Sequence, residues 1–265
     1  MKILAIGDPH GKIPNVKPIL KKEKPDIIIC TGDFAGDDKI RELIFKNWGK
    51  PWYSQIGKKK AKEMVRESEE KGKKVLKYLN SLKMPVYLIP GNYDDETKLG
   101  KAAGRYKNLH YSHLKKFKID DYYLVFHGGY MDAKIFFTTN VIKQSLKNKN
   151  ERKRENDSEK RKLIKIFKNI RNEKIVFTTH IPSYGIFDKV RNKKSPMDNR
   201  HVGIEAYEHI IKKYKPKLYI CGHMHENQGF RKVGAMSAVC LGEANKYVYL
   251  IDINHKINIS KIRMK

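Results

Sequence analysis

The sequence is short of cysteine, short of acidic residues and free of long apolar runs, and each shortage excludes something. Cys30, Cys221 and Cys240 stand in apolar runs, are odd in number and show no CxxC spacing. They do not support a disulfide framework and read as reduced core residues of a cytosolic protein. No apolar run approaches the ~18 residues that span a bilayer. The N-terminal run Ile3–Ile6 stops at Gly7-Asp8, too short for a secretory h-region. Membrane spanning and export are unsupported, and a cytoplasmic location is expected. Asp and Glu number 29 against 57 Lys and Arg, a net charge of +28. Such a field attracts polyanions, including nucleic acid, nucleotides and anionic membrane surfaces. A solvated, lysine-biased surface explains the same charge equally well, so charge alone names no partner.

What is present is enough apolar material, 40% of 265 residues, for a sizeable core. Global disorder is excluded. At ~150 residues per domain the length alone fits one large or two small domains. The coarse pattern alternates strand and helix. Strands are expected at Lys2–Gly7, Asp26–Cys30, Val86–Ile89, Lys174–Phe177 and Lys217–Cys221. Helical spacing falls at Ile13–Lys22, at Ala61–Leu82 and at Gly203–Tyr214. Leu114–Ile119 and Tyr122–Phe126 read as a strand pair turned at Asp120-Asp121, and the chain from Gly229 onward as three or four strands. Lys143–Lys174 is the most basic stretch, and the polar run around Asn148–Glu159 is a candidate mobile segment. No repeat or linker is evident. The expectation is one α/β domain over residues 1–265, with two packed sheets.

Side chains able to hold metal collect just after strands. The first strand runs into Gly7-Asp8-Pro9-His10-Gly11, the second into Gly32-Asp33, the third into Gly91-Asn92-Tyr93-Asp94. Two later strands run into Thr179-His180 and Gly222-His223-Met224-His225. Ligands of open α/β sheets bind beyond the carboxyl ends of strands, so these five loops are expected to meet. In extended chain residues i and i+2 project together, pairing Asp8 with His10 and His223 with His225. Each fragment alone is weak: Gly-Asp after a strand is usually a turn, and a lone histidine is usually structural. Five in order, all after strands, leave coincidence a small share.

Asp8-x-His10, Gly32-Asp33, Gly91-Asn92, Thr179-His180 and Gly222-His223-x-His225 together resemble the calcineurin-like metallophosphoesterases, in particular the small single-domain archaeal and bacterial members. The resemblance runs from Lys2 to about Gly242. It implies an α/β fold, a four-layer α/β/β/α sandwich of two mixed sheets, and two divalent metal ions. By the same resemblance Asp8, His10 and His225 would hold one ion, Asn92, His180 and His223 the other, and Asp33 would bridge them. A mixed set of carboxylate, imidazole and amide oxygen suits Mn, Fe, Zn or Ni better than Ca or Mg. Two ions ~3.5–4 Å apart can activate a bridging hydroxide and clamp phosphate oxygens for in-line attack. The implied activity is hydrolysis of phosphomonoesters or phosphodiesters, nucleotides included.

Two features depart from the family pattern. Many members carry a histidine after Gly-Asn that steadies or protonates the leaving group, and this chain has Tyr93. Substitute acids would be His127, His201 or Tyr93 itself; His127, in Phe126-His127-Gly128-Gly129, is otherwise structural or substrate-side. The second departure is an insertion at about 38–83, bearing Trp48, Trp52 and Tyr53. It reads either as a cap that selects substrate or as a helix packed on a sheet. Besides the phosphoesterase, two readings stand: a nuclease holding nucleic acid on the basic surface, and a metal-binding interaction module with weak or lost catalysis.

Overall fold

Alternation along each strand sends successive side chains to opposite faces, and in the central strands both faces are apolar, the pattern of strands buried on two sides. The computed structural model describes residues 1–47, 51–129, 149–170, 174–193, 195, 197–254 and 256–264. The first half runs β1 (Lys2–Ile6), α1 (Lys17–Glu23), β2 (Ile27–Cys30), α2 (Asp38–Lys46), α3 (Gly57–Ser81), β3 (Val86–Leu88), α4 (Glu96–Ala103) and β4 (Leu109–Tyr111). The second runs β5 (Lys115–Ile119), β6 (Tyr122–His127), α5 (Lys149–Phe167), β7 (Lys174–Thr179), α6 (Glu205–Tyr214) and β8 (Leu218–Cys221). Four strands follow: β9 (Gly229–Val233), β10 (Met236–Cys240), β11 (Tyr247–Ile253) and β12 (Ile257–Arg263).

The strands form two six-stranded mixed sheets, ordered β12-β11-β1-β2-β3-β4 and β5-β6-β7-β8-β10-β9. In the first, β1 to β4 are parallel, while β11 and β12 run antiparallel. In the second, β6, β7, β8 and β10 are parallel between antiparallel edges β5 and β9. Ile3, Ala5, Ile27 and Ile29 face Leu124, Phe126, Val176 and Ile220 across the sheet–sheet interface. Their neighbours Leu4, Ile6, Ile28 and Cys30 turn outward onto Val75, Leu76 and Leu79 of α3 and Leu99 of α4. On the far side Val125, Phe177 and Tyr219 pack under Leu163 and Phe167 of α5 and Tyr207 and Ile210 of α6. These three apolar interfaces make the expected four-layer α/β/β/α sandwich. All three cysteines are free and buried.

Three local expectations change. Helix α1 starts at Lys17, not Ile13, with Pro18 in its first turn. Proline lacks an N–H and is tolerated only there, so Pro14 stays outside the helix. The polar stretch from Lys149 to Glu159 is helical rather than a loose connection (Asn148 lies outside the described residues). Its apolar contacts sit at the end of the helix, and polar bonds anchor its earlier turns: Asn156 Oδ1 accepts from the Ala206 amide at 2.6 Å, and Glu159 meets His127 at 2.7 Å. The insertion packs in two places. The last turns of α3 pack on the first sheet. Ile40, Ile44, Trp52, Tyr53 and Ala61 form a separate small cluster that reaches Tyr93. Trp48 lies outside the described residues. Gly72 lets α3 come close, since a Cβ there would stand 3.0 Å from the Ala35 amide nitrogen.

Candidate metal centre

β1, β2 and β3 of one sheet and β7 and β8 of the other all end at the same edge, where their loops interlock through main-chain bonds. His10 N donates to Asp33 O at 2.9 Å, and Gly222 N to His180 O at 2.9 Å. Asp94 fastens two of the loops together, its carboxylate accepting from the Phe34, Ala35 and Gly91 amides at 3.0–3.2 Å. Glycine is required where backbones touch: a Cβ on Gly222 would stand 2.5 Å from Asp8 Oδ1, and one on Gly32 would collide with the Gly91 backbone.

The side chains gather into two groups, Asp8 with His10 and His225, and Asp33 with His180 and His223. Within each, the donor atoms all lie within 4.8 Å of one another. Asn92 joins the second, its Oδ1 at 2.9 Å from His180 Nε2 and 2.8 Å from His223 Nδ1. Asp33 faces both groups with one oxygen: Oδ2 is 3.9 Å from His10 Nε2 and 3.6 Å from His180 Nε2. Its Oδ1 is occupied by the Tyr93 amide at 2.8 Å.

The extended-chain pairing is corrected in both loops. Asp8 and His10 do converge, but through a left-handed turn at His10 (φ 46°) rather than by extension. His223 is also left-handed (φ 64°) and His225 opens a 3₁₀ turn, so the two histidines separate into different groups. Asp33 shares the left-handed conformation (φ 54°). Three non-glycine residues held in that sparsely populated region at one site mark a geometry imposed by its surroundings.

The donor chemistry fits cations. The Thr31 carbonyl accepts from His180 Nδ1 at 2.8 Å, which leaves the neutral ring's Nε2 as a bare lone pair facing the Asn92 amide oxygen. His10 and His225 bring their Nε2 atoms within 3.3 Å of one another, with His225 Nε2 also 3.0 Å from Asp8 Oδ2. Burial drives His10 down to about 4, His223 to about 3 and His180 below its usual value, so these three are neutral, the form that ligates metal. Burial and the nearby Asp8 and Asp94 carboxylates raise Asp33. Burial would raise Asp8 too, but its bond from His225 and the surrounding histidines hold it at about 2. Two buried carboxylates this close to one another favour positive charge between them.

Of the candidate acids, Tyr93 borders the first group. Burial and the Asp33 charge push the Tyr93 phenol far above its ordinary range. The Tyr93 ring packs edge-on to His10 at 5.1 Å. His127 belongs to neither group. Its Nδ1 meets Tyr207 Oη at 2.6 Å and its Nε2 meets Glu159 at 2.7 Å, which suits the structural reading. His201 Nδ1 is bound to Asp188 at 2.8 Å. Two residues at the site were not anticipated. Arg41 on α2 brings Nη1 to 3.3 Å from His225 Nδ1 while Nη2 donates to Asp38 at 3.1 Å. Glu243 meets the same His225 Nδ1 at 3.1 Å. Neither lies in a motif; the carboxylate directly after Gly242 was the one available signal.

The family description "Calcineurin-like phosphoesterase" matches residues 1–227. No curated protein matches the chain. A crystal structure 19% identical, covering 100% of this chain and 99% of its own, superposes with a TM-score of 0.69. The protein TT1561 of Thermus thermophilus is 13% identical over 100% of this chain and 99% of its own, with a TM-score of 0.58. The phosphopantetheinyl hydrolase PptH of Mycobacterium tuberculosis is 11% identical over 92% and 90%, with a TM-score of 0.52. At these identities the structures support the fold alone. Among the described residues no helix is long and apolar enough to cross a membrane. With the family match spanning most of the chain, this protein belongs to the calcineurin-like phosphoesterase family.

Proposed function

We propose that the chain is a metal-dependent phosphoesterase acting on phosphomonoesters or phosphodiesters. Asp8, His10 and His225 would hold one divalent ion and Asn92, His180 and His223 the other, with Asp33 common to both. The observation that carries this reading is the single Asp33 oxygen facing both donor groups. The nitrogen and oxygen donors suit Mn, Fe, Zn or Ni. When bound, such ions supply Lewis-acid activation of water and of phosphoryl oxygens.

The chain's own residues set what surrounds that chemistry. Asp8 and Asp33 are buried and confine the negative charge that holds the ions. Arg41, fastened by Asp38 and partly exposed, brings a permanent positive charge beside the first group, where it can orient an anionic ester. Tyr93, its phenol raised by burial, is a much weaker acid than an imidazolium, and His127 and His201 are tied to other partners. Esters with good leaving groups are therefore the better substrates. The cluster of Ile40, Ile44, Trp52 and Tyr53 behind Tyr93 supports a cap that limits substrate size. Residues 1–265 act as one domain in this reading, since β9 to β12 complete both sheets.

Turnover of bis(p-nitrophenyl) phosphate by metal-stripped protein, before and after addition of Mn²⁺, tests the proposal. Activity restored by the metal is expected. A stripped protein that binds Mn²⁺ and remains inert would leave a metal-binding interaction module instead.

A further inference from the structure

Glu243 lies beyond the last residue of the family match, yet its backbone is zipped to the first metal group. Asp8 and Glu243 form a parallel bridge, with Asp8 N donating to Gly242 O at 2.8 Å and Ala244 N to Asp8 O at 3.2 Å. The two carboxylates flank the His225 ring from opposite sides: Asp8 Oδ2 is 3.0 Å from Nε2, and Glu243 Oε1 is 3.1 Å from Nδ1. The Glu243 side chain is only 12% exposed, and its second oxygen is held by Lys246 Nζ at 3.1 Å. Arg41 Nη1 stands 3.3 Å from Nδ1 and 3.9 Å from Oε1; a guanidinium only donates, so of these two neighbours Glu243 alone can accept a proton from Nδ1.

An imidazole that gives one nitrogen to a metal carries its proton on the other, and a buried acceptor there fixes both tautomer and ring angle. We infer that Glu243 is the positioning residue of the first metal group: it accepts the His225 Nδ1 proton and so turns Nε2 toward Asp8 and His10 as a ligand. This inference rests on the proposed assignment of Asp8, His10 and His225 to one ion. It adds a residue outside the motifs and explains why the chain after Gly242 folds back onto the site. The second group needs no such side chain, because the Thr31 carbonyl does the equivalent work for His180.

The test is equilibrium binding of Mn²⁺ to the full-length protein, resolving its two equivalents, for wild type, Glu243→Ala, Glu243→Gln and Lys246→Gln. In Glu243→Ala one equivalent should weaken by ~10–100-fold, the usual cost of losing an outer-shell partner of a ligating histidine. Glu243→Gln, nearly isosteric and still an acceptor, should weaken the same equivalent by less. Lys246→Gln, which removes the contact to the second oxygen of the carboxylate, should leave both affinities as in wild type. Unchanged binding in both Glu243 variants would overturn the inference. Equal weakening of both equivalents by all three substitutions would also overturn it, since a merely structural ion pair would behave that way. A wild-type protein that binds no Mn²⁺ would instead overturn the metal assignment from which it starts.

Discussion

The two donor groups share only the loop that carries His223 and His225, and they are held in different ways. The second is fixed by main chain: the Thr31 carbonyl takes His180 Nδ1, and the Gly32 and Gly91 backbones touch with no room for a Cβ. In the first, main chain holds Asp8 and His10, but the His225 ring is held by side chains from distant sequence, Glu243 after β10 and Arg41 on α2. His180 is fully buried, whereas the His225 side chain is 19% exposed. A group held by backbone is as rigid as the sheets, while one held by side chains can be tuned or weakened by single substitutions. The second group should therefore bind its ion the more tightly.

The largest effect is expected where the groups meet. Asp33→Asn keeps the side-chain shape but removes the charge shared by both, and should cost at least ~10³-fold in turnover together with the two-ion pair. His225→Ala should release one equivalent of Mn²⁺ and leave the tighter one in place, while His180→Ala should disturb the tighter one. Elemental analysis after dialysis checks both. If the His225 variant lost both ions equally, the contrast between the groups would disappear.

A smaller effect is expected at Tyr93. General acid help is typically worth ~10²–10⁴-fold, and a buried phenol supplies far less of it than an imidazolium near neutral pH. Aryl phosphoesters should be cleaved far faster than alkyl ones, and Tyr93→His should narrow that gap by about tenfold or more. Equal wild-type rates on both classes would show a donor elsewhere, which His127→Ala and His201→Ala would identify.

Away from the site, Glu159 gives a pH signature. Burial acts to raise its pKa, but bonds from His127 and Lys162 outweigh this and hold it at about 2, below the ordinary 4.5. A carboxylate depressed in the folded state contributes stability above its unfolded pKa and loses it as pH falls toward its folded one. Wild type should thus lose about 1 kcal/mol between about pH 4.5 and pH 2, a figure reduced for partial exposure. Glu159→Gln should show less of that slope in urea titrations; identical slopes would remove Glu159 from the account of acid stability. The smallest effect is expected from glutamine at Arg152, Lys153, Arg154, Lys160, Arg161 and Lys162 on α5. If the basic helix only solvates the surface, turnover of small esters and the salt slope of nucleic-acid binding stay unchanged. A flatter slope would support the nuclease reading.

Much of this arrangement was legible in the sequence, for a definite reason. Apolar runs that stop at Gly-Asp or Gly-His mark strand ends, and strand ends of parallel sheets share an edge, so five local signals imply one place. The four-layer sandwich and the gathering of Asp8, His10, Asp33, Asn92, His180, His223 and His225 follow from that rule and the family resemblance. Arg41 and Glu243 were not legible, because nothing local connects α2 or the turn after Gly242 to His225; their proximity is set by the tertiary fold. The split between His223 and His225 was implied by the family resemblance and not by the local pattern. It depends on a left-handed φ at His223, which an extended-chain argument does not contain. Helix α5 escaped because Lys149–Glu159 carries its anchors as single polar residues, Asn156 and Glu159, rather than as an apolar stripe.

The most direct measurement is electron paramagnetic resonance of the protein loaded with two equivalents of Mn²⁺, beside Asp33→Asn treated alike. An exchange-coupled dimanganese signal in wild type, giving way to isolated Mn²⁺ in the variant, is the expected result. Isolated Mn²⁺ in wild type, or a coupled signal that survives the loss of Asp33, would contradict a two-ion centre joined through this carboxylate.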